Sequence, residues 1–102
     1  MPQVESYVQN GVNFISVSGD IEMFDITEFK KTLYGLLRSP NYAIVELDLG
    51  RVNYIDSSGL AALVGFAKTV RREGRKFRLL RMRAQVADLV HLAGLDTFFR
   101  EE

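Results

Sequence analysis

The chain has no cysteine and a single histidine, His91. Without thiols there is no disulfide, no cysteine nucleophile and no cysteine-bound zinc. No apolar run approaches the ~20 residues of a membrane-spanning helix, and the opening MPQVESYVQN lacks the pattern of a secretory signal. A cytoplasmic protein without membrane insertion is the expectation. The glycines never gather as GxGxxG or a P-loop, so nucleotide binding has no support. Asp20, Glu22, Asp25 and Asp56 are dispersed, without paired-carboxylate or metal-ligand spacing, and neither metal nor cofactor is expected. Repeats, low-complexity tracts and linkers are also missing. With 102 residues the chain supports one domain, 1–102, with one core.

Net charge is zero, which argues against direct nucleic-acid binding. The balance hides an asymmetry. Residues 1–56 carry four Lys/Arg against eight Asp/Glu, and residues 57–102 carry nine against five, so the two parts are −4 and +4. Such polarity suits steering of a protein partner.

The patterning alternates between strand and helix. Residues 3–9 alternate weakly, Asn10-Gly11 is a hairpin signal, and VNFISVSG pairs antiparallel with the first strand. From Asp25 to Arg38 the apolar residues Ile26, Phe29, Leu33, Leu36 and Leu37 recur at helical intervals. Asp25 and Glu28 read as a capping box, and Pro40 stops the helix. YAIVELDL (42–49) is nearly continuous in apolar residues and reads as a strand buried on both faces. Residues 57–73 are helical, with Leu60, Leu63, Val64, Ala67 and Val70 inward and Gly74 as terminator. KFRLLRM (76–82) is a strand. AQVADLVHLAGL is a helix with Val86, Leu89 and Val90 inward, and DTFF suggests an edge strand. The order β-β-α-β-α-β-α-(β) implies an α/β fold with a mixed sheet of four to five strands and helices packed on it.

The chemistry concentrates in YIDSSGLAALVG, residues 54–65. Asp56, Ser57 or Ser58 can each cap a helix. Three consecutive capping residues exceed one cap's need, and they stand at the carboxyl end of a strand, where open α/β sheets meet ligands and partners. A serine nucleophile fits poorly: the first glycine of a Gly-x-Ser-x-Gly elbow is missing, and the only candidate base, His91, stands between Val90 and Leu92 on another helix. On the outer side of the same helix lie Ala61, Ala62, Gly65 and Thr69, flanked by Phe66. These small residues suit either a partner surface or tight packing against a neighbouring helix. Arg71, Arg72, Arg75, Lys76, Arg78, Arg81 and Arg83 form a basic cluster, read chiefly as solvated side chains complementing a helix C-terminus, with contact to an acidic partner or membrane phosphate as the alternative.

AIVELDLGRVNYIDSSGLAALVGFAKTVRREG resembles the signature region of the STAS domain, especially that of bacterial anti-sigma factor antagonists. SVSGDIEMFDITEFKKTL and VADLVHLAGLDTFF resemble the family's Gly-acid turn with its first helix, and its closing helix. The resemblance covers essentially the whole chain. It implies a non-enzymatic module that binds an anti-sigma factor of the histidine-kinase-like ATPase fold and thereby controls sigma factor-dependent transcription. That partner, as a serine kinase, phosphorylates the serine after the Asp, here Ser57, and a metal-dependent serine phosphatase reverses the step. By the same match Asp20 and Glu22 lie in the turn beside the phosphosite and Leu60 opens the partner-facing helix; together with Asp56, Ser58, Gly59, Ala61 and Gly65 they make the expected partner surface. A STAS subunit of a transporter or lipid-transport ATPase, without a phosphoswitch, is the alternative. The chain departs from the family pattern at Glu22, at Met23-Phe24, at Ala61 and at Arg83, which stands where a helix-capping serine or asparagine is usual.

Overall fold

The computed structural model of the chain describes residues 2–39 and 41–100. Strands β1 (Gln3–Gln9) and β2 (Val12–Ser18) form an antiparallel hairpin. Its turn residues Asn10 and Gly11 have φ of 53° and 77°, the left-handed pair that a two-residue hairpin turn demands. A turn of 3₁₀ helix over Met23–Asp25 leads into α1 (Ile26–Gly35), which tightens into a second 3₁₀ turn over Leu36–Arg38. The expected stop at Pro40 lies outside the described residues, but Ser39 before it is already extended. Then follow β3 (Ile44–Arg51), α2 (Ser57–Arg72), β4 (Lys76–Met82), α3 (Ala84–Leu92) and a short α4 (Asp96–Arg100).

The sheet runs β1-β2-β3-β4, with β2, β3 and β4 mutually parallel. Ile15, Val17, Val45, Leu47, Leu49 and Phe77 point to one face. They meet Phe29 and Leu33 of α1, Leu63, Phe66, Ala67 and Val70 of α2, Val86 and Val90 of α3, and Phe99 of α4 in one core. Phe66 and Phe77 pack edge-on, with ring centroids 6.2 Å apart.

Three expectations are corrected. The strand at 42–49 is not buried on both faces: Val45, Leu47 and Leu49 are buried, while the alternating Ile44, Glu46 and Asp48 are only half-buried. The two acids break the apolar run and turn toward the helix-free face, where Tyr7 stacks on Phe14. DTFF is helix rather than edge strand, so the described sheet has four strands. Helical spacing lets Phe99 enter the core while Phe98 lies under the Arg71 guanidinium, 4.7 Å from the ring centre. The capping box does not form. Asp25 sits inside the 3₁₀ turn with helical backbone angles, and its side chain accepts no capping bond.

Candidate partner-binding site at the start of helix α2

The residues leading out of β3 are locked before α2 begins. Ile55 pairs in a parallel bridge with Ile21. Ile21 N–H donates to the Tyr54 carbonyl at 3.0 Å, and Asp56 N–H donates to the Ile21 carbonyl at 3.2 Å. From the far side, the Gln85 side-chain amide accepts from Ile55 N–H at 2.9 Å and donates to the Ile55 carbonyl at 3.0 Å. Both polar groups of Ile55 are thus satisfied by a residue of α3.

Asp56 then fills the capping role. Its backbone is extended, and Oδ1 accepts from Gly59 N–H at 2.8 Å, closing the first turn of α2. Oδ2 accepts from Met23 N–H at 2.9 Å, tying the 3₁₀ turn before α1 to the same carboxylate. The bridge register sets Asp20 level with Tyr54 and Glu22 level with Asp56. With the cap supplied by Asp56, no hydrogen bond among the described residues engages the Ser57 or Ser58 hydroxyl. Ser57 is exposed at the first helical position, and Ser58 is half-buried.

The eight expected surface positions separate on this geometry. Asp20, Glu22 and Ala61 are exposed, and Asp56 is half-buried. Ser58, Ala61 and Gly65 line a groove of about 300 Å³ between α1 and α2, whose other wall is Ile26, Lys30 and Tyr34. Gly59 and Leu60 are buried, and their side-chain positions offer a partner nothing. A Cβ on Gly59 would stand 2.7 Å from the Ile21 carbonyl oxygen and from Ile55 Cγ1, so glycine here permits the close approach of α2 to the Ile21–Ile55 bridge. Leu60, 6% exposed, belongs to the core. The small-residue face divides between its two alternatives. Ala62 and Phe66 are buried, and a Cβ on Gly65 would lie 3.2 Å from the Tyr34 hydroxyl. Much of that face therefore serves packing of α2 on α1, and only its first turns remain open.

The candidate base, His91, is engaged away from the serines. The His91 ring is exposed on α3 and its Nδ1 lies 3.0 Å from Asp96 Oδ2, so the imidazole is occupied within its own helix-turn-helix segment.

The basic cluster divides: Arg72, Lys76, Arg81 and Arg83 are exposed, as solvated side chains would be, while Arg75 and Arg78 are half-buried. Arg75 donates to the carbonyls of Leu37 and Ser39 and to the Tyr42 hydroxyl, with its guanidinium 4.1 Å from the Tyr42 ring centre. Arg78 pairs with Glu46 at 3.3 Å. Arg81 pairs with Asp48, and Arg83 donates to the Gly50 carbonyl at 2.8 Å and to Asn53. The hydrogen bond from Arg81 holds the Asp48 carboxyl below the usual carboxylate range. Its partial burial opposes this, and the Gly50 N–H and nearby Arg51 add to the lowering. These arginines brace the fold, and several are not simply solvated.

Sequence reasoning missed two features here, the Gln85 clamp and the tie between Met23 and Asp56, neither of which has a local signal. The Met23-Phe24 pair, already a departure from the family pattern, is exposed at 63% and 94%.

A family model described as the STAS domain matches residues 3–101. Among curated proteins, the anti-sigma-B factor antagonist of Staphylococcus epidermidis is 22% identical over 92 residues, covering 90% of this chain and 84% of the relative. An anti-sigma factor antagonist from Mycobacterium paratuberculosis superposes with a TM-score of 0.84 at 24% identity, over 98% of this chain and 84% of its own. The anti-sigma factor antagonist SpoIIAA of Bacillus superposes over 95% of this chain, in its unphosphorylated form (TM-score 0.74, 17% identity, 84% of that chain) and in its phosphorylated form (0.71, 15%, 86%). At these identities the structural likeness speaks to the fold.

Proposed function

Because the chain belongs to the STAS domain family, matched over residues 3–101, we propose that it is an anti-sigma factor antagonist switched by phosphorylation of Ser57. It acts by binding and not by catalysis. Unphosphorylated, it engages an anti-sigma factor of the histidine-kinase-like ATPase fold and frees the sigma factor. That partner, as a serine kinase, phosphorylates Ser57 and is released, and a metal-dependent serine phosphatase resets the module. Its place of action is the cytoplasm, and among the described residues no helix is long and apolar enough to cross a membrane.

One observation carries the reading. Ser57 stands exposed at the first position of α2 while Asp56 holds the cap, so its hydroxyl is free for modification without loss of any bond the fold uses. A phosphate adds about −1.5 to −2 charges at neutral pH. The helix dipole tolerates an anion at this end, so the fold survives. The surroundings do not favour it. Asp56 is adjacent, and Asp20 and Glu22 lie on the neighbouring strand segment. A partner shaped for that surface meets added repulsion and an unpaired phosphate. A penalty of ~3 kcal/mol weakens binding more than a hundredfold.

The test is phosphorylation by the cognate ATPase with ATP, read by intact mass and peptide mapping, beside binding of Ser57→Ala and Ser57→Asp. A single phosphate on Ser57, binding retained in S57A and weakened in S57D are expected. Equal affinity of both variants removes the switch and favours a STAS subunit that binds its partner regardless of Ser57. Hydrolytic activity lost in S57A would restore a serine enzyme.

A further inference from the structure

The acidic turn ahead of α1 carries two apolar side chains that contribute nothing to the core. Phe24 is 94% exposed and Met23 63%. The turn that presents them is nevertheless held firmly. Met23 N–H donates to Asp56 Oδ2 at 2.9 Å, Asp25 N–H donates to the Glu22 carbonyl at 2.9 Å, and Ile21 is bridged to Ile55. The backbone that aims Phe24 outward is therefore ordered before any partner arrives, so little entropy remains to be lost there on binding. Tyr54, also exposed, lies on the segment paired with Ile21.

Acids crowd the turn itself, and the first cations, Lys30 and Lys31, come a helical turn later on α1. Asp20, Glu22, Asp25 and Glu28 occur within residues 20–29, where there is no Lys or Arg, and Asp56 stands beside them. Among the described residues no ion pair engages Asp20, Glu22, Asp25 or Asp56. An exposed aromatic ring on a turn carrying acids without ion pairs is complementary to an apolar pocket bordered by Lys and Arg. Aromatic anchors seated in such pockets supply most of the energy of many interfaces, and rim charges supply selectivity and association rate.

Resting on the function proposed above, we infer that the Met23–Phe24 turn is the anchor by which this chain selects its partner, an anti-sigma ATPase whose docking surface is an apolar pocket rimmed by basic residues. Phe24 enters the pocket, and the acids pair with its rim. The anchor and the phosphosite form one unit, because the carboxylate that caps α2 beside Ser57 also holds the Met23 amide. A phosphate on Ser57 consequently stands at the edge of the same contact.

The experiment titrates each purified histidine-kinase-like ATPase of the source genome with wild-type protein, Phe24→Ala, Phe24→Leu and Ser57→Asp, alongside thermal unfolding of each variant. For the ATPase that binds wild type, F24A is expected to lower affinity about a hundredfold and F24L about tenfold, mostly through faster dissociation. Melting temperatures should stay at the wild-type value. If F24A binds like wild type while S57D is weakened, the anchor is wrong and the switch stands. A loss of affinity matched by a fall in stability also overturns the anchor, since the ring then supports the fold. If no ATPase binds wild type, the proposed function falls and the anchor with it.

Discussion

Arg75 and Asp56 each hold several groups of the backbone, yet they belong to regions that use charge in opposite ways. Around Arg75, Arg78, Arg81 and Arg83, positive charge is spent inside the molecule: carbonyls, carboxylates and a tyrosine ring take up the guanidinium groups. Around Asp56, only that one carboxylate is structural, and Asp20, Glu22 and Asp25 are left without ion pairs among the described residues. The two regions have equal and opposite formal charge in the sequence but unequal charge available to a partner. The acids around Asp56 therefore remain available to steer an encounter, whereas these four arginines are engaged.

Arg75→Ala should separate the regions most sharply. It leaves the Leu37 and Ser39 carbonyls without their donor and strips the guanidinium from Tyr42, so a loss of about 3 kcal/mol is expected in chemical denaturation. Partner affinity should be unchanged, and any loss of affinity beyond the loss of folded protein breaks the distinction. At the acidic end Gly59→Ala should cost about 2 kcal/mol, because its Cβ meets the Ile21 carbonyl and Ile55 with no flexible group to yield. Asp56→Ala should cost less in stability, about 1 kcal/mol for a lost cap. It should cost proportionately more in binding, since the Met23 amide is freed and the Phe24 turn loosens. A binding loss no larger than the stability loss would show that the turn needs no tie.

The smallest effect concerns acid. The folded-state pKa of Asp48 is lowered, chiefly by the hydrogen bond from Arg81, relative to an unfolded value near ~3.9. The stabilisation is complete above that unfolded value and is lost as pH falls through the folded one. Asp48→Asn should therefore be less stable than wild type at neutral pH, with the gap closing at acid pH. A gap that widens in acid contradicts the assignment. Partner binding should not follow this variant at any pH.

Local signals in the sequence were strong where a residue's own chemistry decides its conformation. Asn10-Gly11 called its hairpin, and Gly74 called the end of α2: with φ +80° its N–H reaches the Arg71 carbonyl while Arg75 N–H reaches that of Val70. The strand at 76–82 and the buried Val86 and Val90 followed from period alone. DTFF misled because four residues cannot distinguish a period of two from one of 3.6, and the choice rests on Phe99 reaching Phe77 in the core beneath the helices.

What the sequence determined by itself is the order of elements as far as α3, the family, and a stretch where an acid, two serines and a glycine open a helix. Those are properties of neighbours along the chain: turn chemistry, apolar period and capping competence. Only the tertiary structure decided which of the three capping residues caps, because Asp56 must satisfy amides from two segments at once, one of them 33 residues away. It likewise decided that Gly59 is a contact point, that Gln85 clamps Ile55, and that Arg75, Arg78, Arg81 and Arg83 are occupied while Asp20, Glu22 and Asp25 have no ion pair among the described residues. Each depends on distances between segments remote in sequence, which composition and spacing do not contain.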